Sequence, residues 1–510
     1  MISFLTKNYL LILIIFIAAA LRFWQLGQNP PSLNWDEVSN GYNAYSILKT
    51  GRDEHGNFLP LTFRAFGDYN LALSVYTLVP SIAIFGLNEL AVRFPSALLG
   101  TLTVLLTYLL TKKLFDDYKS NFSLFTFHFS LAHVSALLLA ISPWHLQFSR
   151  YDHEANFMVF FAILGLTLLL YSFKKHQLLV LSAISFALSL NSYHGAKIWI
   201  PLFILTILIF FSKQVLRFKS KLILPLAILV LSTYPIAASL EKTTIRSSSV
   251  GIFEKSESPA KTFRENYLSH FSLNFLFTQG DKIPRHSLNG MGLLYIFELP
   301  LLIIGMIFLI KLKTPISKFL IAWLLLAPIP ASLATPAPHA LRAISFLPIL
   351  QIISAYGAYV ILRWKINTNV KIPITTFLFA VAIYNLATYL HLYYKHYPKL
   401  SSIDWQDGYK DMTEFVDPIK DKYSTVAVTN FYGHPYIFIL FYTKLDPHAY
   451  QNLEDKSRLV KYEFFGQSWE KKTPGLALVI RPEWQKPDPP PMYINEIYDT
   501  ITNLVKDVLK

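Results

Sequence analysis

The chain has 510 residues, of which 53% are hydrophobic, with 40 Phe and 29 Tyr. That is too apolar for a soluble protein of this length, and the absence of cysteine excludes disulfides, thiolate metal sites and a cysteine nucleophile. The net charge of +14 does not indicate nucleic acid: residues 395–510 carry 15 Lys/Arg and 16 Asp/Glu, whereas residues 1–394 carry 31 and 16, so the excess lies in the apolar part.

Apolar runs of membrane-spanning length recur along the chain. The first apolar run, roughly Tyr9 to Phe23, has a single Lys7 before it and no small-residue cleavage site, so the helix predicted over 7–26 reads as retained. A long loop to about residue 90 follows, with two helical stretches, Glu37–Thr50 and Tyr69–Phe85, the second interfacial because it contains Pro80. Further helices are expected at about 91–113, 124–143, 155–173, 177–192, 197–212, 222–240, 292–310, 319–334, 344–362 and 372–394, eleven in all. The loops after the second, fourth, sixth, eighth and tenth are rich in Lys and Arg, which places them in the cytoplasm. The N-terminus is then cytoplasmic, and the loop 27–90 and the tail 395–510 are extracytoplasmic. The tail reads as a soluble α/β domain. It has a helix-like Trp405–Lys420, strands at Thr425–Thr429 and Leu476–Ile480, a turn-rich Pro487–Pro491 and a closing helix over Ile494–Leu509. The expected division is 1–394, a transmembrane catalytic domain, and 395–510. No glycine-rich nucleotide pattern occurs.

Five polar clusters fall on the extracytoplasmic side: Asp36/Glu37; Arg64-x-x-x-Asp68; Ser149-Arg150-Tyr151-Asp152-His153-Glu154; Asn191-Ser192-Tyr193-His194-Gly195-Ala196-Lys197; and Pro338-His339-Ala340-Leu341-Arg342. Charges close to hydrocarbon are costly, so they tend to be paired or functional. Each cluster also has a plainer explanation. Asp36 and Glu37 could cap a helix, and Arg150 could pair with Glu154 four residues on. His194 and Lys197 could contact headgroups, and Arg342 could snorkel to lipid phosphate. Asp152, His153 and Glu154 could ligate a divalent metal, although adjacent residues point different ways on a helix. Together, on one face, the clusters suit sugar transfer to a hydroxyl. A carboxylate takes the acceptor proton, and Lys197, Arg342 and Arg150 supply cations for a phosphate leaving group.

Leu21-Arg22-Phe23, Pro30-Pro31-Ser32-Leu33-Asn34-Trp35-Asp36-Glu37 and Leu87-Asn88-Glu89-Leu90-Ala91-Val92-Arg93-Phe94-Pro95-Ser96 resemble glycosyltransferase family 39. This is the group of protein O-mannosyltransferases and lipid A aminoarabinose transferases, of GT-C architecture. Ile141-Ser142-Pro143-Trp144-His145, Glu154-Ala155-Asn156 and His339-Ala340-Leu341-Arg342-Ala343 extend the similarity. The resemblance implies a polytopic α-helical GT-C protein. It implies a polyprenyl-monophosphate sugar as donor, a hydroxyl acceptor and inversion at the anomeric carbon. Asp36 matches the first-loop acid, Glu37 its neighbour, and Glu154 the acid of the second outer loop. Arg64, Arg150, Lys197 and Arg342 are then the expected phosphate ligands. Trp35, Asp68, Tyr193, His194 and His339 are expected to line the pocket. Asn70-Leu71-Ala72 stands where relatives commonly carry a cation followed by prolines, so that phosphate contact falls to Arg64, Lys197 or Arg342. A transporter of lipid-linked sugars, or a non-catalytic envelope scaffold, is the alternative.

Overall fold

The computed structural model describes residues 2–115, 121–124, 127–239, 250–364, 367–453, 459, 461–465, 477–482, 492–498 and 505–506. The chain forms two compact units. One comprises residues 1–24, 71–74 and 96–394; the other comprises 25–70, 75–95 and 395–510.

Among the described residues, seven helices are long and apolar enough to cross a membrane: Glu89–Leu114, Glu154–Ser172, Ala196–Leu216, Lys219–Ala238, Pro315–Ser332, Ile344–Arg363 and Thr368–Leu400. Leu131–Ile141 and Pro143–Ser149, bent by 59°, make an eighth if taken as one span. The break falls at Ser142-Pro143, where proline cannot continue the preceding helix. This is a multi-pass membrane protein. Each of the eleven stretches expected to span carries a helix; the first, Ile2–Phe23, runs 22 residues, whereas Leu178–Leu190 and Glu298–Leu312 are shorter than a full span.

Buried polar side chains tie the helices of the first unit together, as expected where hydrocarbon offers backbone groups no other partner. Trp144 Nε1 donates to Ala340 O (3.1 Å), Tyr295 OH to Ile141 O (2.9 Å), and Trp323 Nε1 to Ser345 O (3.1 Å). Asn156 Nδ2 donates to Ser96 O and Oγ. Helices Glu298–Leu312 and Ile349–Arg363 cross at Gly305 and Gly357. A methyl group on Gly357 would run into the carbonyl oxygen of Leu301, and one on Gly305 into that of Ile353. Because backbone is the obstacle, Gly357→Ala is expected to push the helices apart and destabilise the protein by about 1–3 kcal/mol. A thermal midpoint in detergent equal to that of the unsubstituted protein would count against this crossing.

In the second unit, helix Trp35–Thr50 is followed by a two-stranded sheet of β1 (Thr62–Ala65) and β2 (Asp68–Leu71), then helix Ala72–Phe85. The helix expected from Tyr69 thus starts three residues later. Phe66 (φ 52°) and Gly67 (φ 85°) both take left-handed backbone, which suits a tight turn between twisted strands and draws residues 68–71 into pairing. Elsewhere lie β3 (Asn121–Leu124) and β4 (Phe127–Ser130), an antiparallel pair. They occupy the start of the helix expected at 124–143, which begins instead at Leu131 with Ser130 as its cap.

The tail contributes a five-stranded sheet in the order β6-β5-β7-β8-β9, from β5 (Thr425–Thr429), β6 (Tyr462–Phe465), β7 (Ala477–Pro482), β8 (Met492–Tyr498) and β9 (Val505–Lys506). β5 runs parallel to β6 and β7, and is buried along its whole length, as a central parallel strand covered on both faces should be. Helix Tyr409–Val416 buries Tyr409, Met412, Thr413 and Val416, one face at helical spacing. Among the described residues the closing helix expected over Ile494–Leu509 does not appear: Met492–Tyr498 and Val505–Lys506 are strands, antiparallel to their neighbours. The run Tyr493, Ile494, Ile497, Tyr498 is rich in strand-forming types, and an open sheet edge was available to pair with it. The turn-rich Pro487–Pro491 lies outside the described residues.

Residues 25–70 and 75–95 fold with the tail as one unit. Gln451 Nε2 donates to Ser46 Oγ (3.0 Å), Thr50 Oγ1 (3.1 Å) and Asp53 O (2.9 Å), and Tyr42 OH donates to Leu445 O (3.1 Å). Gly41 leaves room for the Phe441 ring.

Candidate active site

Asn34 starts helix Trp35–Thr50. Its Oδ1 accepts from Asp36 N (2.9 Å) and Glu37 N (3.2 Å), while the Glu37 carboxylate accepts from Asn34 N (3.1 Å), a reciprocal cap. Glu37 is fully buried and paired with the equally buried Arg93 (Nε to Oε1, 3.0 Å). Arg93 also donates to Leu26 O (3.1 Å), Pro30 O (2.8 Å) and Ser32 O (2.5 Å), and faces the Trp405 ring. One guanidinium thus folds the whole segment before Asp36 against the start of helix Glu89–Leu114.

Asp36 differs from its neighbour. It is half-buried, and its carboxylate accepts no hydrogen bond and makes no ion pair among the described residues. It sits in the first helical turn, where the helix dipole favours negative charge. Trp35 N donates to Gln406 Oε1 (3.1 Å). Gly433 lies close enough to Trp35 that a β-carbon would meet the indole at 2.5 Å. His434 stacks on Phe66 (4.0 Å, 13°) and meets Trp35 edge-on (5.8 Å). Burial pushes the His434 pKa down, and the Asp36 charge opposes that shift. Trp35, Phe66 and His434 therefore form one aromatic group, and the Asp36 charge acts on its imidazole. Of the other residues expected here, Arg64 is exposed on β1 and Asp68 accepts from its own neighbour Tyr69 N (2.7 Å). Asn70 is buried and donates to Asn40 Oδ1 (3.4 Å).

The remaining expected residues belong to the first unit. Arg150 is buried, with Nε donating to Tyr393 OH (3.0 Å), Nη1 to Leu21 O (2.7 Å) and Arg22 O (3.1 Å), and Nη2 to Trp24 O (2.8 Å). It clamps the carbonyls that end helix Ile2–Phe23. It is not paired with Glu154. Asp152 and Glu154 are buried; His153 Nδ1 caps Ala155 N and lies 3.6 Å from Glu154 Oε2. The His153 ring meets Tyr193 edge-on (5.9 Å). Lys197 Nζ lies 3.5 Å from His194 Nδ1, and Arg342 Nη1 donates to Pro336 O (3.2 Å).

His339 joins residues that sequence reasoning did not single out. Its Nδ1 lies 3.9 Å from Asp281 Oδ2, which also accepts from His286 Nδ1 (3.1 Å) and Ala340 N (2.6 Å). Among the described residues, Asp281, His286 and His339 are the three whose donor atoms come together as metal ligands would; Asp152, His153 and Glu154 do not. Burial drives the imidazoles of His286 and His339 toward the neutral form, His339 to about 2. For Asp281, burial raises the pKa, but the hydrogen bond and charge of His286, the charge of His339 and the Ile283 N–H together outweigh it and hold the pKa at about 2. Arg93 carried a visible signal, a charge opening an apolar span. Asp281, His286 and His434 sit in polar loops with no distinguishing pattern.

The family described as dolichyl-phosphate-mannose-protein mannosyltransferase matches residues 73–237. No curated protein matches the chain in sequence. Among solved structures, ArnT from Cupriavidus metallidurans bound to undecaprenyl phosphate is similar at 13% identity, with a TM-score of 0.56 over 93% of each chain. The oligosaccharyltransferase AglB from Archaeoglobus fulgidus, in complex with an inhibitory peptide and a dolichol-phosphate, is similar at 14% identity and a TM-score of 0.54. That match covers 86% of this chain but only 64% of AglB. The apo form of the same archaeal enzyme gives 14% identity and a TM-score of 0.51, over 85% of this chain and 63% of the other. At these identities the likeness establishes the fold, which is GT-C.

Proposed function

We propose that this GT-C protein is an integral membrane glycosyltransferase that moves a sugar from a polyprenyl-monophosphate donor to an extracytoplasmic hydroxyl, with Asp36 as general base. The observation that carries this reading is the Asp36 carboxylate: set at a helix start, half-buried, acting electrostatically on His434, and left with open acceptor capacity. The family match over 73–237, and the polyprenyl phosphates held by ArnT and AglB, support the donor class.

In this scheme Asp36 takes the proton of the acceptor hydroxyl. The oxygen attacks the anomeric carbon from the face opposite the phosphate, the carbon–oxygen bond to phosphate breaks, and configuration inverts. The electron pair leaves with polyprenyl phosphate. Lys197 and Arg342 hold that phosphate, and Arg64, exposed, is a third candidate. Arg150 is not counted among them, because its donors serve backbone carbonyls and Tyr393. Glu37 acts as a positioning residue through Arg93, and Glu154 stays as a second acid beside His153. Trp35, Asp68, Tyr193, His194 and His339 line the substrate region. The orientation follows the basic loops: N-terminus cytoplasmic, eleven spans, and the tail 395–510 extracytoplasmic.

The test is a panel of labelled polyprenyl-phosphate sugars incubated with the protein in native membranes. Release of free polyprenyl phosphate from at least one donor is expected. Donors moved across the bilayer but recovered intact would make the protein a transporter, and donors neither moved nor cleaved would make it a scaffold.

A further inference from the structure

We propose that Asp281, His286 and His339 form a site for one divalent transition-metal ion, with zinc the best match. The three side chains come from two loops, 281–287 and 336–342, yet their donor atoms lie within 4.8 Å of one another. Atoms bound to one ion at about 2 Å stand roughly 3–4 Å apart. Asp281 Oδ2 is 3.1 Å from His286 Nδ1 and 3.9 Å from His339 Nδ1, so an ion could enter with small adjustments. Two imidazoles and one carboxylate are a common borderline-soft ligand set, and they leave a fourth position open.

The surroundings hold each ligand independently, as outer contacts do around metal sites. Asp281 Oδ1 accepts from Ile283 N (2.9 Å), leaving Oδ2 turned to the imidazoles. Ser287 Oγ accepts from Asp281 N (2.8 Å) and donates to Asp281 O (3.0 Å), closing the loop between the first two ligands. His270, buried, accepts from His339 N (3.2 Å) through Nε2, while its Nδ1 donates to Asn266 O (2.7 Å). Arg285 and Arg342 place two positive charges near the cluster. The same two charges favour an anion, hydroxide or a phosphate oxygen, as the fourth ligand.

The simpler account is a hydrogen-bonded Asp–His cluster that never holds an ion. Metal content separates the two. The full-length protein, carrying a tag without histidines and purified in detergent without chelator, is expected to hold about one zinc per chain. His286→Gln and His339→Gln are expected to lose it. Cobalt exchanged into the protein should show visible bands that the variants lack. Should the unsubstituted protein stay metal-free both as purified and after dialysis against micromolar zinc, the site is refuted. A His286→Gln/His339→Gln protein that kept its full zinc would refute it equally. Neither readout depends on transferase activity or on a correct donor.

Discussion

Asp36→Asn is expected to reduce sugar transfer by about 10²–10⁴-fold, the usual contribution of a general base, while the protein still inserts and folds. Asparagine has the same shape and keeps the backbone N–H that Asn34 accepts. The lost carboxylate accepts no hydrogen bond among the described residues, so no internal partner is stranded. The structural cost is confined to a less favourable charge at the helix start, about 0.3–1 kcal/mol. A second readout comes from His434, whose pKa burial lowers and the Asp36 charge raises. With that charge gone, the imidazole should titrate at lower pH than in the parent protein, which NMR of labelled histidine can follow. Near-parental transfer together with the His434 shift would place Asp36 at the site but deny it the role of base.

Arg93→Met should have the opposite profile: a large loss of stability, with activity falling because the fold fails. The substitution leaves the Glu37 carboxylate buried without its cation and orphans the carbonyls of Leu26, Pro30 and Ser32. Breaking a buried pair by removing one partner costs about 3–5 kcal/mol. Adding Glu37→Gln removes the stranded charge but not the stranded carbonyls, so the double variant should recover part of the loss. Thermal unfolding in detergent, compared across parent, single and double variants, checks this. An unchanged midpoint for Arg93→Met would show that the segment before Asp36 is held by other contacts.

The contrast between adjacent residues shows where sequence reading stops. Asp36 and Glu37 look interchangeable as letters, two carboxylates at a helix start. What separates them is Arg93, 56 residues away from Glu37, which engages one and not the other. Arg150 and Glu154 stood four apart and looked like a pair, yet Arg150 is drawn to the carbonyl end of a helix more than 120 residues earlier. Asp281 and His286 carried no signal at all until His339 was brought beside them.

Hydropathy by itself determined that the chain crosses the membrane many times, and roughly where, since a 30 Å hydrocarbon layer demands long apolar runs that any reading of the letters detects. The letters also put a helix start at Asp36 and Glu37, within two residues of the observed start at Trp35, because capping is a contact between residues two or three apart. Only the tertiary structure decided that the first loop folds with the tail, that the last described segment pairs as strands, and that a histidine from residue 434 stands beside Asp36. Those outcomes depend on which sheet edge is open and which distant group satisfies a buried charge, and neither is written in any local pattern.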